Sequence, residues 1–306
     1  MKTGRSRNRR PDRTAPPPPA PARETVARPA AEHWLYGRHA VAAALANPRR
    51  RWRRLVVAPG ERDAAAALAA AAATRRRGGG EAVRLSERAE LAALLPDGAV
   101  HQGWALEVEA LAAPDLDELL RSEAAAERSV LVVLDQVTDP HNVGAVLRSA
   151  AAFGAAAVLV AAHGAAPASG ALAKAASGAL ELVPLVRVVN LARALDRLKD
   201  ARYWSCGLDE NAPRSLHEID LGPRVALVLG SEGSGLRRLV REHCDYVARL
   251  PTRPQMPGLN VSNAAAVALY ELSRASATTE AVVRGLAPPI SGAPQEGRVK
   301  PSHDAG

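Results

Sequence analysis

A continuous apolar run, Val225 to Leu229, breaks abruptly into Gly230-Ser231-Glu232-Gly233-Ser234-Gly235. An unbroken apolar stretch bounded by glycine reads as a strand buried on both faces of a parallel sheet. Leu236 to Cys244 follows with helical spacing: Leu236, Leu239 and Val240 are apolar, and Arg237, Arg238 and Arg241 face out. Strand, glycine loop and helix together present backbone N–H groups to a polar or anionic ligand. A further strand, Tyr246 to Leu250, leads through a proline-studded loop to Leu259-Asn260-Val261-Ser262 and a small-residue helix, Asn263 to Leu272. Two strand-to-loop corners with polar tips form a cofactor site. Glu232 would repel a pyrophosphate lying on the loop amides, so a neutral or cationic cofactor suits this loop better than NAD.

The chain's 306 residues suffice for two domains with real cores. Aromatics make up 3%, so those cores must be built from Leu, Val and Ala. No apolar run reaches membrane-span length. Cys206 and Cys244 have no paired spacing with histidines, which fits small buried hydrophobes in a reducing cytoplasm and gives no metal site. Of the net charge of +8, +6 lies in residues 1–31, an Arg/Pro/Ala stretch without apolar periodicity. This stretch reads as a disordered basic tail, suited either to nucleic-acid contact or to solubility. Its run Pro16 to Pro19 opposes an amphipathic transit helix.

Residues 32–112 form a small αβαβαβ domain. It has a helix over Arg38 to Ala46, a strand over Arg53 to Ala58 and an alanine-rich helix over Asp63 to Arg77 closed by Gly78-Gly79-Gly80. A strand over Ala82 to Leu85, a helix capped by Ser86, and a strand over Gly103 to Ala110 complete it. Residues 113–128 are an acidic helical connector. From residue 129 to 278, strands and helices alternate, predicting a doubly wound parallel sheet. Residues 279–306 lose periodicity and read as a disordered tail.

Asp135 to Gly154, DQVTDPHNVGAVLRSAAAFG, holds a turn, Asp139-Pro140-His141-Asn142-Val143-Gly144, and then Arg148. Pro140 stiffens the turn, Asn142 offers an amide donor and acceptor, and Gly144 admits close backbone approach. Arg148 lies one and a half helical turns beyond Asn142. By itself it is either a helix-surface cation or a substrate-facing one. Glu232 admits two readings too, as a carboxylate favoured near a helix N-terminus or as a site residue.

Taken together, these three stretches resemble the SpoU/TrmH branch of the SPOUT RNA methyltransferases. The resemblance spans about residues 35–278, with its motifs in the expected order. Leu35-Tyr36-Gly37-Arg38-His39-Ala40-Val41 and His101-Gln102-Gly103 resemble the family's N-terminal substrate domain, an α/β module like ribosomal protein L30e; His101 alone is equally a capped loop histidine. The resemblance implies an α/β fold: a SPOUT parallel-sheet methyltransferase domain with a C-terminal trefoil knot, preceded by the L30e-like substrate-binding domain. It also implies transfer of a methyl group from S-adenosyl-L-methionine to a ribose 2′-hydroxyl of RNA. The N-terminal domain is most similar to that of enzymes modifying a guanosine in the P loop of 23S rRNA.

By resemblance, Arg148, Asn142, Glu232 and Asn260 are the catalytic set, and Gly230, Leu250, Leu259 and Ser262 hold the cofactor. A guanidinium, whose pKa exceeds about 12, is a poor base, so Arg148 is expected to orient a phosphate and stabilise developing alkoxide charge. The family also implies a homodimer with a composite site, in which Arg148 acts near the partner's cofactor. The helix after Asn260 would sit at that interface, although its face of Ala264, Ala265, Ala266 and Ala268 fits an ordinary core equally well. Two departures stand out. The family's usual Ser-Leu-Asn-Val-Ser is here Gly258-Leu259-Asn260-Val261-Ser262, without the first hydroxyl. Thr252-Arg253-Pro254-Gln255 lacks the usual methionine and glycine. Alternative readings are a tRNA or other rRNA methyltransferase, a catalytically silent RNA-binding assembly protein, and an NAD-binding protein. The last lacks the acidic ribose-binding residue at the end of the next strand.

Overall fold

The computed structural model describes residues 33–75, 83–164, 169–256 and 258–283. The basic tail, the Gly78–Gly80 closure and residues 284–306 of the expected C-terminal tail lie outside these, whereas residues 279–283, expected to belong to that tail, are helical and continue the last described helix. The chain forms two sheets. The first has four strands in the order β1-β4-β2-β3: β1 (Trp34–Tyr36), β2 (Trp52–Val57), β3 (Val83–Leu85) and β4 (Trp104–Val108). β4 runs antiparallel to both β1 and β2, and β2 is parallel to β3. Helices α1 (Arg38–Ala46), α2 (Arg62–Arg75) and α3 (Arg88–Ala93) accompany them.

The N-terminal unit therefore opens on a strand that the helix-first reading lacks. Trp34, Leu35 and Tyr36 are all buried, so β1 shows no alternation by which periodicity could reveal it. Ser86 is not the N-cap of α3. Glu87 holds that position, and the Ser86 hydroxyl donates to Glu90 Oε2 at 2.9 Å.

The second sheet has six strands, all parallel, in the order β10-β8-β9-β5-β6-β7. These are β5 (Ser129–Asp135), β6 (Ala157–Ala161), β7 (Leu185–Val188), β8 (Trp204–Leu208), β9 (Arg224–Gly230) and β10 (Tyr246–Ala248). The runs that read as doubly buried are so: β5 is buried from end to end, and Val225 to Leu229 are all buried in β9. One face packs beneath α5 (Pro140–Ala152), α6 (Gly170–Ala176) and α9 (Val261–Val283). The other packs beneath α7 (Leu191–Asp200) and α8 (Arg238–His243). The connector helix α4 (Leu116–Ser122) starts with an Asp115–Glu118 capping box and buries Leu119 against this second face.

The alanine stripe on α9 is divided. Ala265 and Ala268 are fully buried in the core, while Ala264 and Ala266 are only half-buried. Cys206 and Cys244 are free thiols, and burial pushes each up to about 12. That matches small hydrophobes rather than reactive nucleophiles. Among the described residues no helix is long and apolar enough to cross a membrane, and no side-chain group could hold a metal ion.

The two sheets are joined by more than the connector. α6 packs on β1 and α1, and the Trp34 carbonyl and Tyr36 ring lie against Gly170. Behind this contact Arg50 and Glu181, 3% and 7% exposed, form a buried ion pair between the two units. Arg50 Nε lies 3.1 and 3.2 Å from the two carboxylate oxygens, and its terminal nitrogen 2.5 Å from Oε1. Asn47 donates to the same carboxylate at 2.7 Å, and Arg50 also donates to the Glu109 carbonyl at 3.0 Å. Nearby, Lys174 of α6 donates to the Val100 carbonyl at 2.6 Å, beside the His101-Gln102-Gly103 loop. Gln102 Oε1 accepts from the Arg38 N–H, and His101 Nδ1 accepts from the Gly103 N–H. Burial, with Arg88 and Lys174 close by, holds the His101 imidazole below its ordinary value.

Removing one partner of a buried pair strands the other charge without water or counterion. Glu181→Ala is expected to lower unfolding stability by about 3–5 kcal/mol, measured by urea denaturation of the full chain.

Candidate active site

The site lies at the carboxyl ends of the parallel strands, where an α/β sheet opens a crevice. Loops leaving β8, β9 and β10 surround a cleft of about 560 Å3. That volume suits a small-molecule ligand, for which clefts run from about 300 to 1,000 Å3. Leu208, Leu229, Leu236, Leu250 and Leu259 supply its apolar lining, and Asp209, Glu210 and Glu232 its carboxylates.

The glycine loop is shaped by two constraints. At Gly230 the chain folds back so closely that a Cβ would lie 2.1 Å from the Gly235 carbonyl carbon, so only glycine fits. The far end is pinned by Asp135, the last residue of β5 and fully buried. Its carboxylate accepts from the Arg237 backbone N–H at 2.8 Å and from the Arg237 guanidinium at 2.7 Å. Arg237 is exposed, as its outward-facing spacing predicts, with its side chain 48% accessible, and its guanidinium also reaches back to the buried Asp135 carboxylate.

The Asp139-to-Gly144 stretch is the first turn of α5 rather than a separate turn before it. Asp139 is the N-cap, accepting from the His141 N–H, and Pro140 takes the first helical position. Asn142 therefore projects from a rigid helix start towards the glycine loop. Its amide nitrogen donates to Glu232 Oε1 at 3.1 Å, and its amide oxygen accepts from Asn260 at 3.1 Å. Asn260 also donates to Glu232 Oε1 at 2.5 Å. Three residues 90 and 118 positions apart thus close one hydrogen-bonded ring. Glu232 takes its hydrogen bonds from two amides rather than from the amino end of α8. Asn260 serves twice, since its Oδ1 caps α9 by accepting the Ser262 N–H at 2.9 Å.

Gly230, Leu250 and Leu259 line the cleft. Ser262 does not; its hydroxyl donates to Asn260 Oδ1 at 2.5 Å. Arg148 is exposed on α5, outside the cleft lining, without a hydrogen bond or ion pair among the described residues. The residues not singled out beforehand are Asp135, Asp209, Glu210 and Arg237. Asp135 carried one signal, a charge closing an otherwise apolar strand.

Residues 129–270 match the SpoU rRNA methylase family, and residues 34–114 match the RNA 2′-O ribose methyltransferase substrate-binding domain. The chain belongs to the SpoU rRNA methylase family. It is similar to the 23S rRNA (guanosine-2′-O-)-methyltransferase RlmB of Pseudomonas syringae pv. tomato, at 41% identity over 78% of this chain and 94% of that one. The RlmB of Escherichia coli is 38% identical over 78% and 97%. The fold is shared with the SpoU methyltransferase AviRb of Streptomyces viridochromogenes, solved with AdoMet, at a TM-score of 0.65 and 24% identity over 81% of this chain and 92% of that one. As a SpoU member, the chain is an RNA 2′-O-ribose methyltransferase that uses S-adenosyl-L-methionine. The cleft fits that cofactor: leucines suit a purine, and carboxylates suit a ligand with cationic groups.

Asn260 offers a direct test of its double duty. Asn260→Asp keeps an oxygen for the α9 cap but removes the amide donor and places a second carboxylate against Glu232. Methyl transfer is expected to fall by about 100-fold with the cap retained. Asn260→Ala is expected to lose that activity and also about 1 kcal/mol of stability. Turnover measured beside urea denaturation separates the two.

Proposed function

We propose that this SpoU enzyme methylates the 2′-oxygen of a guanosine in the P loop of 23S rRNA. The observation that carries the chemistry is the Asn142–Glu232–Asn260 ring at the rim of the cleft, built from the first turn of α5 and two separate loops. The RNA target rests on the approximately 40% identity to RlmB enzymes, which extends through the N-terminal substrate unit. We assign that unit to residues 32–112, the connector to 113–128 and the methyltransferase domain to 129–278.

Bound S-adenosylmethionine supplies a methyl group on a sulfonium, which is already an activated leaving group. Gly230, Leu250 and Leu259 would hold it through backbone and apolar contacts, with Ser262 and Asn260 fixing the loop beneath. The ribose 2′-oxygen attacks the methyl carbon as the carbon–sulfur bond breaks; its electron pair returns to sulfur, and the hydroxyl proton passes to solvent. Holding oxygen, carbon and sulfur in line provides much of the acceleration. Arg148 orients the adjoining phosphate and stabilises negative charge growing on the 2′-oxygen.

Arg148 lies outside the cleft of its own protomer, as a composite site requires. We therefore infer a homodimer in which each Arg148 serves the partner's cleft. An outer stripe supports an interface on α9: Val267 and Tyr270 are 47% and 55% exposed, and Tyr270 packs edge-on against Phe153 of the α5 end. The knotted threading of the C-terminal segment belongs to the same proposal. It is supported by α9 returning against α5 after the loops from β9 and β10 have enclosed the cleft. We also propose a cytoplasmic location, which action on ribosomal RNA supports.

Transfer of labelled methyl to protein-free 23S rRNA, with the ribose mapped by resistance to alkaline hydrolysis, tests the substrate. One protected P-loop guanosine is the expected result; label on tRNA or at another rRNA site discards this target. Arg148→Ala is expected to lower transfer by about 100- to 1,000-fold with S-adenosylmethionine binding intact by calorimetry. Full turnover in that variant overturns the assigned role.

A further inference from the structure

Position 258 is where this chain departs from the serine usual in its third motif, and the structure shows what stands there instead. A Cβ built on Gly258 would lie 2.9 Å from Glu210 Oε2. The carboxylate of a residue in the loop after β8 thus occupies the space that a side chain at 258 would enter. Both residues line the cleft.

The three carboxylates of the cleft differ in how they are held. Asp209 is paired with Arg241 and accepts the Asn211 N–H at 2.8 Å. Glu232 accepts from two amides. Glu210 is exposed, with no hydrogen bond or ion pair among the described residues. An ionised carboxylate is an acceptor only, so Glu210 offers its lone pairs to a donor entering the cleft. RNA is a poor candidate for that donor, because its phosphates repel an anion. S-adenosylmethionine carries an ammonium, ribose hydroxyls and an adenine amine.

We propose that Glu210 replaces the missing motif hydroxyl, accepting across Gly258 a hydrogen bond from a donor group of the cofactor. Gly258 and Glu210 then form one unit: the small residue makes room, and the carboxylate from the neighbouring loop supplies the polar atom. This deepens the methyl-donor reading and rests on it.

The test is calorimetric binding of S-adenosylmethionine and S-adenosylhomocysteine to the full chain. The two ligands share their ammonium, hydroxyl and amine donors and differ at sulfur. Glu210→Ala is expected to weaken both by about 10- to 100-fold, as for a hydrogen bond to a charged group. Glu210→Gln, which keeps the shape and one acceptor oxygen, is expected to lose less. The double variant Glu210→Ala/Gly258→Ser is expected to recover most of the lost affinity, because a serine hydroxyl returns an acceptor to the same place.

Wild-type affinity in Glu210→Ala overturns the proposal, as does a double variant that binds no better than Glu210→Ala. A loss confined to S-adenosylmethionine would mean that the carboxylate acts on the sulfonium charge, and overturns the assigned acceptor role. Failure of the unaltered protein to bind either ligand would instead sink the methyl-donor reading and this inference with it.

Discussion

The Asp135 carboxylate is the fixed point on which the site depends. It is fully buried at the end of the central strand, where an unpaired charge would be costly. Arg237 answers it with both backbone and guanidinium donors. This ties the end of the glycine loop to the strand next to the one from which the loop departs. With both ends set, by Gly230 at one side and Arg237 at the other, Glu232 at the tip faces Asn142 and Asn260. The ring of amides and carboxylate can then form without each member searching for its partners, which is the physical content of preorganisation.

A second buried charge performs a comparable task at larger scale. Arg50 and Glu181 join the N-terminal sheet to the methyltransferase sheet, with Asn47 completing the carboxylate's hydrogen bonds. The result is a fixed placement of the substrate-binding unit above α6 rather than a tether through residues 113–128 alone. For an enzyme that must bring one ribose to one methyl carbon, that placement limits where a bound RNA segment can lie. Lys174 and the His101-Gln102-Gly103 loop meet at the same junction, where Lys174 donates to the Val100 carbonyl and burial holds the imidazole below its ordinary value.

Much of the site was legible in the residues. Asn142, Glu232 and Asn260 were singled out from three separate stretches, and the structure brings them within hydrogen-bonding distance. The apolar runs of β5 and β9 declared themselves because strands buried on both faces need no polar alternation. Other features were hidden for identifiable reasons. β1 is too short and too uniformly buried to show a period. The start of α5 was read as a turn stiffened by Pro140, although proline is well suited to the first position of a helix. Arg237 and Glu210 were illegible because each is defined by a residue far away in the chain.

The sequence by itself determined the alternation of strands and helices, the glycine and asparagine corners, and the family to which their order points. These follow from local chemistry: apolar periodicity, backbone space at glycine, and the short polar side chains that cap helices. Only the tertiary structure decided which charges are partnered. Asp135 with Arg237 and Arg50 with Glu181 are pairings between distant positions, selected when packing removes water from one side chain and leaves another nearby to replace it. Local pattern contains no record of such meetings, because their energy arises from burial, and burial belongs to the whole fold.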